Sequence, residues 1–337
     1  MFQNKLLLPK DYHSSLDIMQ TEQAIKLTKD HFERTLAQQL QLTRVSAPLF
    51  VRPETGLNDD LNGGERPVQF DIMDLQAEVQ IVHSLAKWKR LALKRYGFTA
   101  GTGLYTDMNA IRRDEELDNL HSVYVDQWDW EKIITAQTRT PETLTDAVRK
   151  IVACLKQTED VLCNTYPQLK PFLRSEVTFI TSQELENRFP DKTPKEREDA
   201  ICREHGIVFL TQIGGVLKSG QPHDKRAPDY DDWSLNGDLL VWYPVLERAI
   251  EISSMGIRVD DRALAKQLKT AGCESRKNLP FHQALLNNEL PLTMGGGIGQ
   301  SRICMLLLQK AHIGEVQASV WSDEMITECD KHGIHLL

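Results

Sequence analysis

Apolar and polar positions recur along this chain with two periods, one typical of helices and one typical of strands. Apolar residues spaced three and four apart predict a helix over residues 14–42, and a second long helix is predicted over 141–164, with Pro141 at its first position. Shorter helices are predicted at 85–95, 194–205, 260–270 and 279–288. Strands are predicted at 47–52, 78–85, 121–130, 176–180, 207–210, 238–246, 249–259 and 316–321. Because several strands follow one another as hairpins, the predicted fold class is α+β with a mostly antiparallel sheet flanked by helices.

The strand predicted at 121–130 carries an unusual alternation. Its two faces are Val123, Val125, Gln127 and Asp129 on one side, and Tyr124, Asp126, Trp128 and Trp130 on the other. Gln127 and Asp129 thus continue an apolar face, where polar groups need partners. They are either satisfied polar groups of the core or the lining of a pocket, and we favour the pocket.

A glycine-rich stretch at Met294–Leu308 is the strongest local signal for a ligand. Four glycines within five positions precede Ser301, Arg302 and an apolar run. Glycines let a backbone approach a ligand closely, and arginine offers a charged fork that matches phosphate. The stretch fits neither a P-loop, which needs Gly-Lys, nor a dinucleotide fingerprint, because Gln300 replaces the third glycine. A glycine-rich turn before a buried helix is the alternative.

Three further segments are predicted to be irregular. Residues 54–65 are rich in Gly, Asn and Asp and include Asp59 and Asp60, so a solvated acidic loop is the simplest interpretation. A turn is predicted at 97–107. Residues 214–233 form a loop long enough to indicate an active-site cover.

Composition limits the class of protein. The chain of 337 residues is 41% hydrophobic and 26% charged, with no apolar run long enough for a membrane span or a signal-peptide core. A net charge of −8 argues against broad electrostatic binding of nucleic acid. The six cysteines include no Cys-x-x-Cys pair, which indicates reduced thiols in a cytoplasmic protein.

Charged and polar residues beside strands and glycines form a possible nucleotide site. The cations are Lys89, Arg112, Arg258 and Arg302. Asp238 and Glu251 on consecutive strands could share Mg²⁺, which prefers oxygen ligands and retains substrate phosphates. Small polar residues complete the set: Gln127, Asp129 and Ser254. Several arginines with a carboxylate-held metal suit a nucleoside triphosphate, although surface arginines and salt bridges are the simpler interpretation for any one residue.

Four segments resemble class II aminoacyl-tRNA synthetases. They are Met294–Leu308 (motif 3), Ile111–Glu115 with the strand at His121 (motif 2), His83–Arg90 (the substrate segment of aspartyl-tRNA synthetases), and Asp238 with Glu251–Arg258 (their metal and ATP segment). The resemblance implies a single class II synthetase-like catalytic domain over residues 1–337.

The chain as a whole is similar to the ammonia-dependent aspartate–ammonia ligases, a family related to aspartyl- and asparaginyl-tRNA synthetases. Matching segments run in the family's order: His83–Arg90, His121–Glu131, Arg226–Ser234, Leu235–Asp238, Glu251–Val259 and Gly295–Arg302. This resemblance implies that L-aspartate, ATP and ammonia are converted to L-asparagine, AMP and diphosphate through β-aspartyl-AMP.

The resemblance also implies catalytic roles for three residues. Asp59, selected by the pattern Asp-x-Leu-x-Gly, is expected to position or deprotonate ammonia, a task that suits a carboxylate. Arg112 is expected to hold the α-phosphate, and Gln127 to contact the aspartate or acyl-phosphate.

The remaining implied roles concern binding. Aspartate is expected to contact Lys89, Gln127, Asp129, Asp231 and Arg258. ATP is expected to contact Arg112, Arg302 and a flat strand for adenine formed by Gly295, Gly297 and Gly299. Mg²⁺ is expected at Asp238, Glu251 and Ser254, directly or through water.

The resemblance finally implies a homodimer formed through residues 14–52. No tRNA partner is expected, because the chain offers no anticodon-binding domain, and no glutaminase subunit, because position 2 is Phe rather than a nucleophilic cysteine. Two alternatives remain open: a true aminoacyl-tRNA synthetase, and a non-catalytic paralogue that only binds or regulates.

Overall fold

The structure is a computed structural model that describes residues 6–59 and 64–337. The acidic loop predicted at 54–65 is therefore only partly described. Phe2 and Asp60, which the sequence singled out, lie outside the described residues.

The described strands form one large and one small sheet. In chain order they are β1 (Leu42–Arg44), β2 (Phe50–Val51), β3 (Gln69–Ile72), β4 (Ala77–Ile81), β5 (Gly103–Ile111), β6 (Tyr124–Ile133), β7 (Thr178–Thr181), β8 (Ile207–Thr211), β9 (Asp231–Tyr243), β10 (Arg248–Arg258) and β11 (Thr293–Gly299). The large sheet has the order β1-β5-β6-β11-β10-β9-β8-β7, and the small one β2-β4-β3. Only the outer pairs β1·β5 and β7·β8 are parallel, which confirms the predicted α+β class with a mostly antiparallel sheet.

Helices flank the large sheet. They are α1 (Ile18–Leu40), α2 (Ala86–Arg95), α3 (Pro141–Thr165), α4 (Ser182–Arg188), α5 (Pro194–His205), α6 (Asp261–Thr270), α7 (Pro280–Leu286), α8 (Gln300–Leu307) and α9 (Asp323–Lys331). Their starts follow from local chemistry: Asp17 and Thr193 each form a capping box, and Thr140 caps α3 before Pro141. No described helix combines the length and the apolar character needed to cross a membrane.

The main core lies between one face of the large sheet and the helices α1, α3 and α8. Trp128 and Trp130 of β6 are fully buried there, and the Phe32 ring of α1 lies 4.9 Å from the Trp128 ring. Since side chains alternate along a strand, Gln127 and Asp129 must point away from this core. The sheet thus has an apolar face and a polar face, and the polar face carries the site.

Two predictions of irregular or extended structure are wrong. Within the predicted turn at 97–107, only the first part turns, at Gly101 with φ of 87°, and β5 begins at Gly103. Gly103 marks close packing instead, because a Cβ there would lie 2.3 Å from the Glu131 carbonyl oxygen. The strand predicted at 316–321 is not formed; a 3₁₀ turn at Ile313–Glu315 precedes irregular chain and then α9.

Other elements were displaced or absent from the prediction. The strand predicted at 47–52 is shortened to β2, and neither β1, which precedes it, nor the helix α4 was anticipated. A capping box between Thr181 and Glu184 starts α4, a signal the sequence offered.

Candidate active site

A cavity of about 370 Å³ opens on the polar face of the large sheet. Its walls come from β6, β10 and β11, the start of α2, the chain after β5, and the loop before β9. Gln127 and Asp129 line it, which confirms the pocket interpretation of the alternation in β6. The end of the 214–233 loop also contributes, through residues such as Arg226 and Tyr230.

Most of the site residues predicted from the sequence meet at this cavity. Those that line it are Asp59, Arg112, Gln127, Asp129, Asp231, Glu251, Ser254, Arg258, Gly297, Gly299 and Arg302. Lys89, Gly295 and Asp238 do not line it. Lys89 and Asp238 lie behind it and bond to other polar side chains of the site, whereas Gly295 faces the side chains of Glu131 and Arg258.

At one end of the cavity, five charged residues form what we call the inner charge cluster: Lys89, Asp129, Glu131, Asp231 and Arg258. All five are at least 97% buried. Lys89 Nζ, from α2, donates to Asp129 Oδ1 and to the Trp130 carbonyl oxygen at 2.9 Å, with Glu131 Oε2 3.8 Å away. Each charge in the cluster therefore has an opposite charge beside it.

Arg258 is the most heavily bonded member of the inner charge cluster. Its Nε donates to both Glu131 carboxylate oxygens at 3.0 Å, and its Nη2 donates to Glu131 Oε2 at 2.8 Å. Its Nη1 donates to Asp231 Oδ1 at 2.5 Å. Glu131 thus holds one edge of the guanidinium group, and Asp231 holds the other.

Burial and pairing compete in this cluster. Burial lowers the pKa of the Lys89 ammonium, although Asp129 and Glu131 oppose that shift. Burial alone would raise the pKa of Glu131, but Arg258 and Lys89 hold it below its ordinary value. Burial raises the pKa of Asp231, and Arg258 only partly offsets the increase. Of Glu131 and Asp231, Glu131 is accordingly the carboxylate that its neighbours keep more firmly charged.

The glycines of β11 make room for side chains that cross the strand. Glu131 lies opposite Gly295 in register, and a Cβ on Gly295 would lie 2.1 Å from Glu131 Oε2. A Cβ on Gly297 would lie 2.2 Å from Gln127 Oε1. The glycine-rich stretch is therefore a strand followed by a helix, not a turn, and two of its glycines are required by neighbouring polar side chains.

Asp59 enters the cavity from the chain before β3 and is 97% buried. Ser84 Oγ donates to Asp59 Oδ2 at 3.2 Å, and the Asp59 carbonyl oxygen lies 2.8 Å from His83 Nδ1. Asn58 Oδ1 accepts from the backbone of both Asp59 and His83 at 2.9 Å. These bonds tie the described end of the acidic loop to the segment before α2, so Asp59 is not a solvated loop residue.

At the opposite end of the cavity lie three arginines, which we call the outer arginine group: Arg112, Arg226 and Arg302. Arg302 donates to the carbonyl oxygens of Glu251 at 3.0 Å and Leu120 at 3.3 Å. Arg112 lies 3.8 Å from Glu115, and its buried Nε has no hydrogen-bond partner within the part of the chain that the structure describes. Among the described residues, these two guanidinium groups have no carboxylate within hydrogen-bonding distance, although Arg302, against the effect of burial, helps to lower the pKa of Glu251.

Arg226 pairs instead with carboxylates, at Asp238 and, at 3.0 Å, Asp224. Burial raises the pKa of Asp238 to about 7 although Arg226 opposes the shift, and the nearby Glu251 carboxylate adds to the increase. Asp238 Oδ1 is buried and has no hydrogen-bond partner among the described residues. Oxygen ligands with excess negative charge are those that Mg²⁺ prefers.

The predicted metal ligands lie on adjacent strands. Asp238 lies directly opposite Ser254, and a β-bulge between Glu251 and Ser253 lets Glu251 and Ser254 line the same cavity. Among the described residues, no three His, Cys, Asp or Glu side chains are grouped as a complete metal site. These two carboxylates and one hydroxyl fit a cation that takes its remaining ligands from substrate phosphate or water.

Sequence reasoning missed two members of the site. Glu131 continues the alternation Gln127, Asp129, so extending the strand by one step would have found it. Arg226 begins one of the segments that resemble the ligase family, but its role depends on its contact with Asp238, which the sequence does not reveal.

Comparisons with known proteins agree on a family and a fold. The sequence profile of the family described as aspartate-ammonia ligase matches residues 19–333. An aspartate–ammonia ligase of Ruminiclostridium cellulolyticum is 64% identical over 99% of this chain and 100% of its own length. One from Clostridium perfringens strain SM101 is 63% identical over 99% of each chain.

Similar solved structures are class II aminoacyl-tRNA synthetases. An asparaginyl-tRNA synthetase of Entamoeba histolytica, in complex with asparaginyl-adenylate, has a TM-score of 0.64 at 13% identity over 89% of this chain and 66% of that one. Another, from Pyrococcus horikoshii, has a TM-score of 0.60 at 16% identity over 90% and 70%. These similarities confirm the class II synthetase-like fold.

Proposed function

Because the chain belongs to the aspartate–ammonia ligase family, we propose that it makes L-asparagine by an AMP-forming reaction in this cavity. An oxygen of the aspartate β-carboxylate attacks the α-phosphorus of ATP, and the bond to the β-phosphate breaks with release of diphosphate. Ammonia then attacks the activated β-carbonyl carbon, and the carbon–oxygen bond to AMP breaks. One proton is lost from the attacking nitrogen, which leaves asparagine and AMP.

The outer arginine group supports the assignment of ATP. Arg112 and Arg302 line the cavity, and neither has a carboxylate of residues 6–59 or 64–337 within normal hydrogen-bond distance. Guanidinium groups match phosphate oxygens and stabilise charge that develops during phosphoryl transfer. We assign Arg112 to the α-phosphate and Arg302 to the terminal phosphate, with Gly297 and Gly299 beside the adenine.

The inner charge cluster supports the assignment of aspartate. Arg258 and Lys89 suit a substrate carboxylate, and Asp129 and Asp231 suit an α-ammonium group. A buried site with both signs of charge favours a zwitterionic amino acid over a simple anion. Gln127, between the two ends, is positioned to contact the reacting β-carboxylate.

Asp59 supports the assignment of ammonia. Ammonium is the main form of ammonia at neutral pH, and it must lose a proton before it can attack. A buried carboxylate held by Ser84 is suited to accept that proton and orient the nucleophile.

Magnesium fits the carboxylates at the outer end of the cavity. Asp238, Glu251 and Ser254 would hold it, directly or through water. When bound, Mg²⁺ would neutralise phosphate charge and orient the triphosphate.

The observation that carries the proposal is the meeting, in one cavity, of a buried cluster with both signs of charge and two arginines that, in the described part of the chain, have no carboxylate within hydrogen-bonding distance. It is tested by incubating the protein with L-aspartate, MgATP and ammonium chloride. We expect asparagine and AMP in equal amounts, and no requirement for glutamine. Formation of ADP, or turnover only with glutamine, would contradict the proposal, and charging of tRNA would favour a synthetase.

Replacement of Asp59 separates the two chemical steps. We predict that Asp59→Ala lowers asparagine formation at least about 10²-fold, the scale of a lost general base. Aspartate-dependent exchange of diphosphate into ATP should persist, because it requires only the first step. Asp71→Ala, an exposed change on β3, is the matched control. Equal loss of exchange and synthesis would assign Asp59 to activation or to structure.

We also propose that the protein is a cytoplasmic homodimer that assembles through residues 14–52 and binds no tRNA. Sedimentation equilibrium tests the dimer, and a gel-shift assay with tRNA tests the absence of that partner.

A further inference from the structure

Glu131 is a buried carboxylate in the site to which the family resemblance gives no role. It is fully buried on β6, two positions after Asp129 and on the same face of the strand. It does not line the cavity, so it has no direct access to a substrate there. Its contacts are instead with Arg258 and Lys89, the two cations assigned to a substrate carboxylate.

The bonds to Arg258 are unequal in a way that distinguishes Glu131 from Asp231. Glu131 accepts three hydrogen bonds from the Nε and Nη2 edge, at 2.8 to 3.0 Å. Asp231 accepts one, from Nη1. Asp231 lines the cavity and Glu131 does not. A ligand in the cavity can therefore replace Asp231 on Arg258, whereas Glu131 stays bonded behind it.

Glu131 also sets the spacing of two like charges. Lys89 Nζ lies 3.8 Å from Glu131 Oε2, and Arg258 lowers the pKa of Lys89 by repulsion while Glu131 raises it. An anion between two buried cations allows both to remain charged at short range.

We propose that Glu131 is a positioning residue that holds Arg258, with Lys89 beside it, for the substrate carboxylate that does not react. The substrate zwitterion then inserts between Arg258 and Asp231, with its carboxylate on Arg258 Nη1 and its ammonium group on Asp231. This inference rests on the proposed function, because it assumes an amino-acid substrate in the inner charge cluster.

Substitution of Gly295 offers a second, independent way to test the proposal. A Cβ at this position would lie 2.1 Å from Glu131 Oε2 and 2.8 Å from Arg258 Nη2. Gly295→Ala should therefore disturb the Glu131–Arg258 pair without touching either charge. If Gly295 instead serves as a surface for adenine, the same substitution should weaken binding of ATP.

The first test compares Glu131→Gln with Glu159→Gln. Glu159, in α3, is also buried, accepts bonds from the backbone of Phe172 and Leu173, and lies away from the cavity. We expect Glu131→Gln to raise the KM for aspartate about 10- to 100-fold, with the KM for ATP within about twofold and kcat changed much less, the signature of lost substrate binding. Glu159→Gln should leave both KM values unchanged while it lowers the melting temperature.

The second test uses Gly295→Ala alone and together with Glu131→Asp. The single variant should raise the KM for aspartate in the same way as Glu131→Gln. The shorter aspartate side chain withdraws its carboxylate from the new methyl group, so the double variant should recover part of the loss. If Gly295→Ala only damages the local structure and Glu131 does not position Arg258, the double variant should not recover a lower KM for aspartate.

Binding of aspartate is also measured by calorimetry, which requires no turnover. If wild-type protein binds aspartate but forms no AMP, the proposed reaction fails, whereas weaker binding by Glu131→Gln still supports the positioning role. The role of Glu131 is overturned if the variant binds aspartate normally, if ATP and aspartate are affected equally, or if wild type binds no aspartate.

Discussion

The charged side chains at the two ends of the cavity differ in how they are paired. In the inner charge cluster every carboxylate and cation has a partner of opposite charge, and the residues are almost completely buried. In the outer arginine group, and counting the described residues alone, Arg302 donates hydrogen bonds only to backbone carbonyl oxygens and Arg112 Nε has no hydrogen-bond partner. The charges of the inner cluster are all paired, whereas among the described residues Arg112 and Arg302 have no carboxylate within hydrogen-bonding distance.

This difference suggests that the inner cluster selects the substrate, whereas the outer arginines neutralise the charge of a bound ligand. A cluster that is already paired presents a fixed geometry, which suits selection of one small zwitterion. Arginines that have no carboxylate within hydrogen-bonding distance, beside a pair of carboxylates, suit a ligand that brings its own negative charges and a cation. The stability of the protein should therefore depend on the inner end, and its response to ligands on the outer end.

The largest predicted effect comes from removing one arginine from each end. Arg258→Met leaves Glu131 and Asp231 buried without their cation, so we predict a loss of about 3 to 5 kcal/mol in the free energy of unfolding. Arg302→Met should cost less than Arg258→Met, because Arg302 is only half-buried, its hydrogen bonds go to backbone carbonyl oxygens, and no carboxylate is hydrogen-bonded to it, although the Glu251 carboxylate loses a nearby charge. Urea denaturation measures both. Equal losses in the free energy of unfolding for the two variants would contradict the distinction between the two ends of the cavity.

A smaller effect should appear in the pH dependence of stability without metal. Burial raises the pKa of Asp238 from 3.8 to about 7, so the folded protein binds a proton there that the unfolded chain has released. Stability from this group is therefore present at low pH and is lost as pH rises through about 7. We predict a decrease of about 2 kcal/mol between about pH 5 and 7.

The control for this prediction is Asp238→Asn, which should lose that part of the pH dependence. Glu131, whose pKa is lowered, should behave in the opposite sense, because its stabilisation is lost only as pH falls below the ordinary carboxylate range. An Asp238→Asn variant with the same pH profile as wild type would contradict the account of the outer end.

The smallest predicted effect concerns an ion pair that lies outside the cavity. It serves as a reference for the changes in stability predicted above. Lys26 and Asp30 form an exposed ion pair one turn apart on α1. We predict that Lys26→Gln changes the free energy of unfolding by less than about 0.5 kcal/mol, because water screens such pairs. A change as large as that of Arg258→Met would mean that burial does not govern these energies.

The sequence predicted those features that depend on local chemistry. The helix at 194–205 was predicted with its observed bounds, and in the structure Thr193, Pro194 and Glu196 form the start of that helix. The two faces of β6 followed from alternation, and that placed Gln127 and Asp129 in a pocket.

The features that the sequence did not predict depend on contacts between distant segments. Glu251 and Ser254 share the cavity only because of a bulge in β10, which no spacing rule indicates. Gly103 resembles a turn residue, but its actual constraint is the backbone of β6. Gly295 was assigned to ATP through family resemblance, and its contact with Glu131 became visible only in three dimensions.

The most direct test of the account is transfer of an oxygen atom. L-Aspartate labelled with ¹⁸O in its β-carboxylate is incubated with the protein, MgATP and ammonium, and the phosphorus products are examined by ³¹P NMR. If the β-carboxylate attacks the α-phosphate beside Arg112, one labelled oxygen must appear in AMP and none in diphosphate. Label in inorganic phosphate together with ADP, or unlabelled AMP, would contradict the proposed reaction.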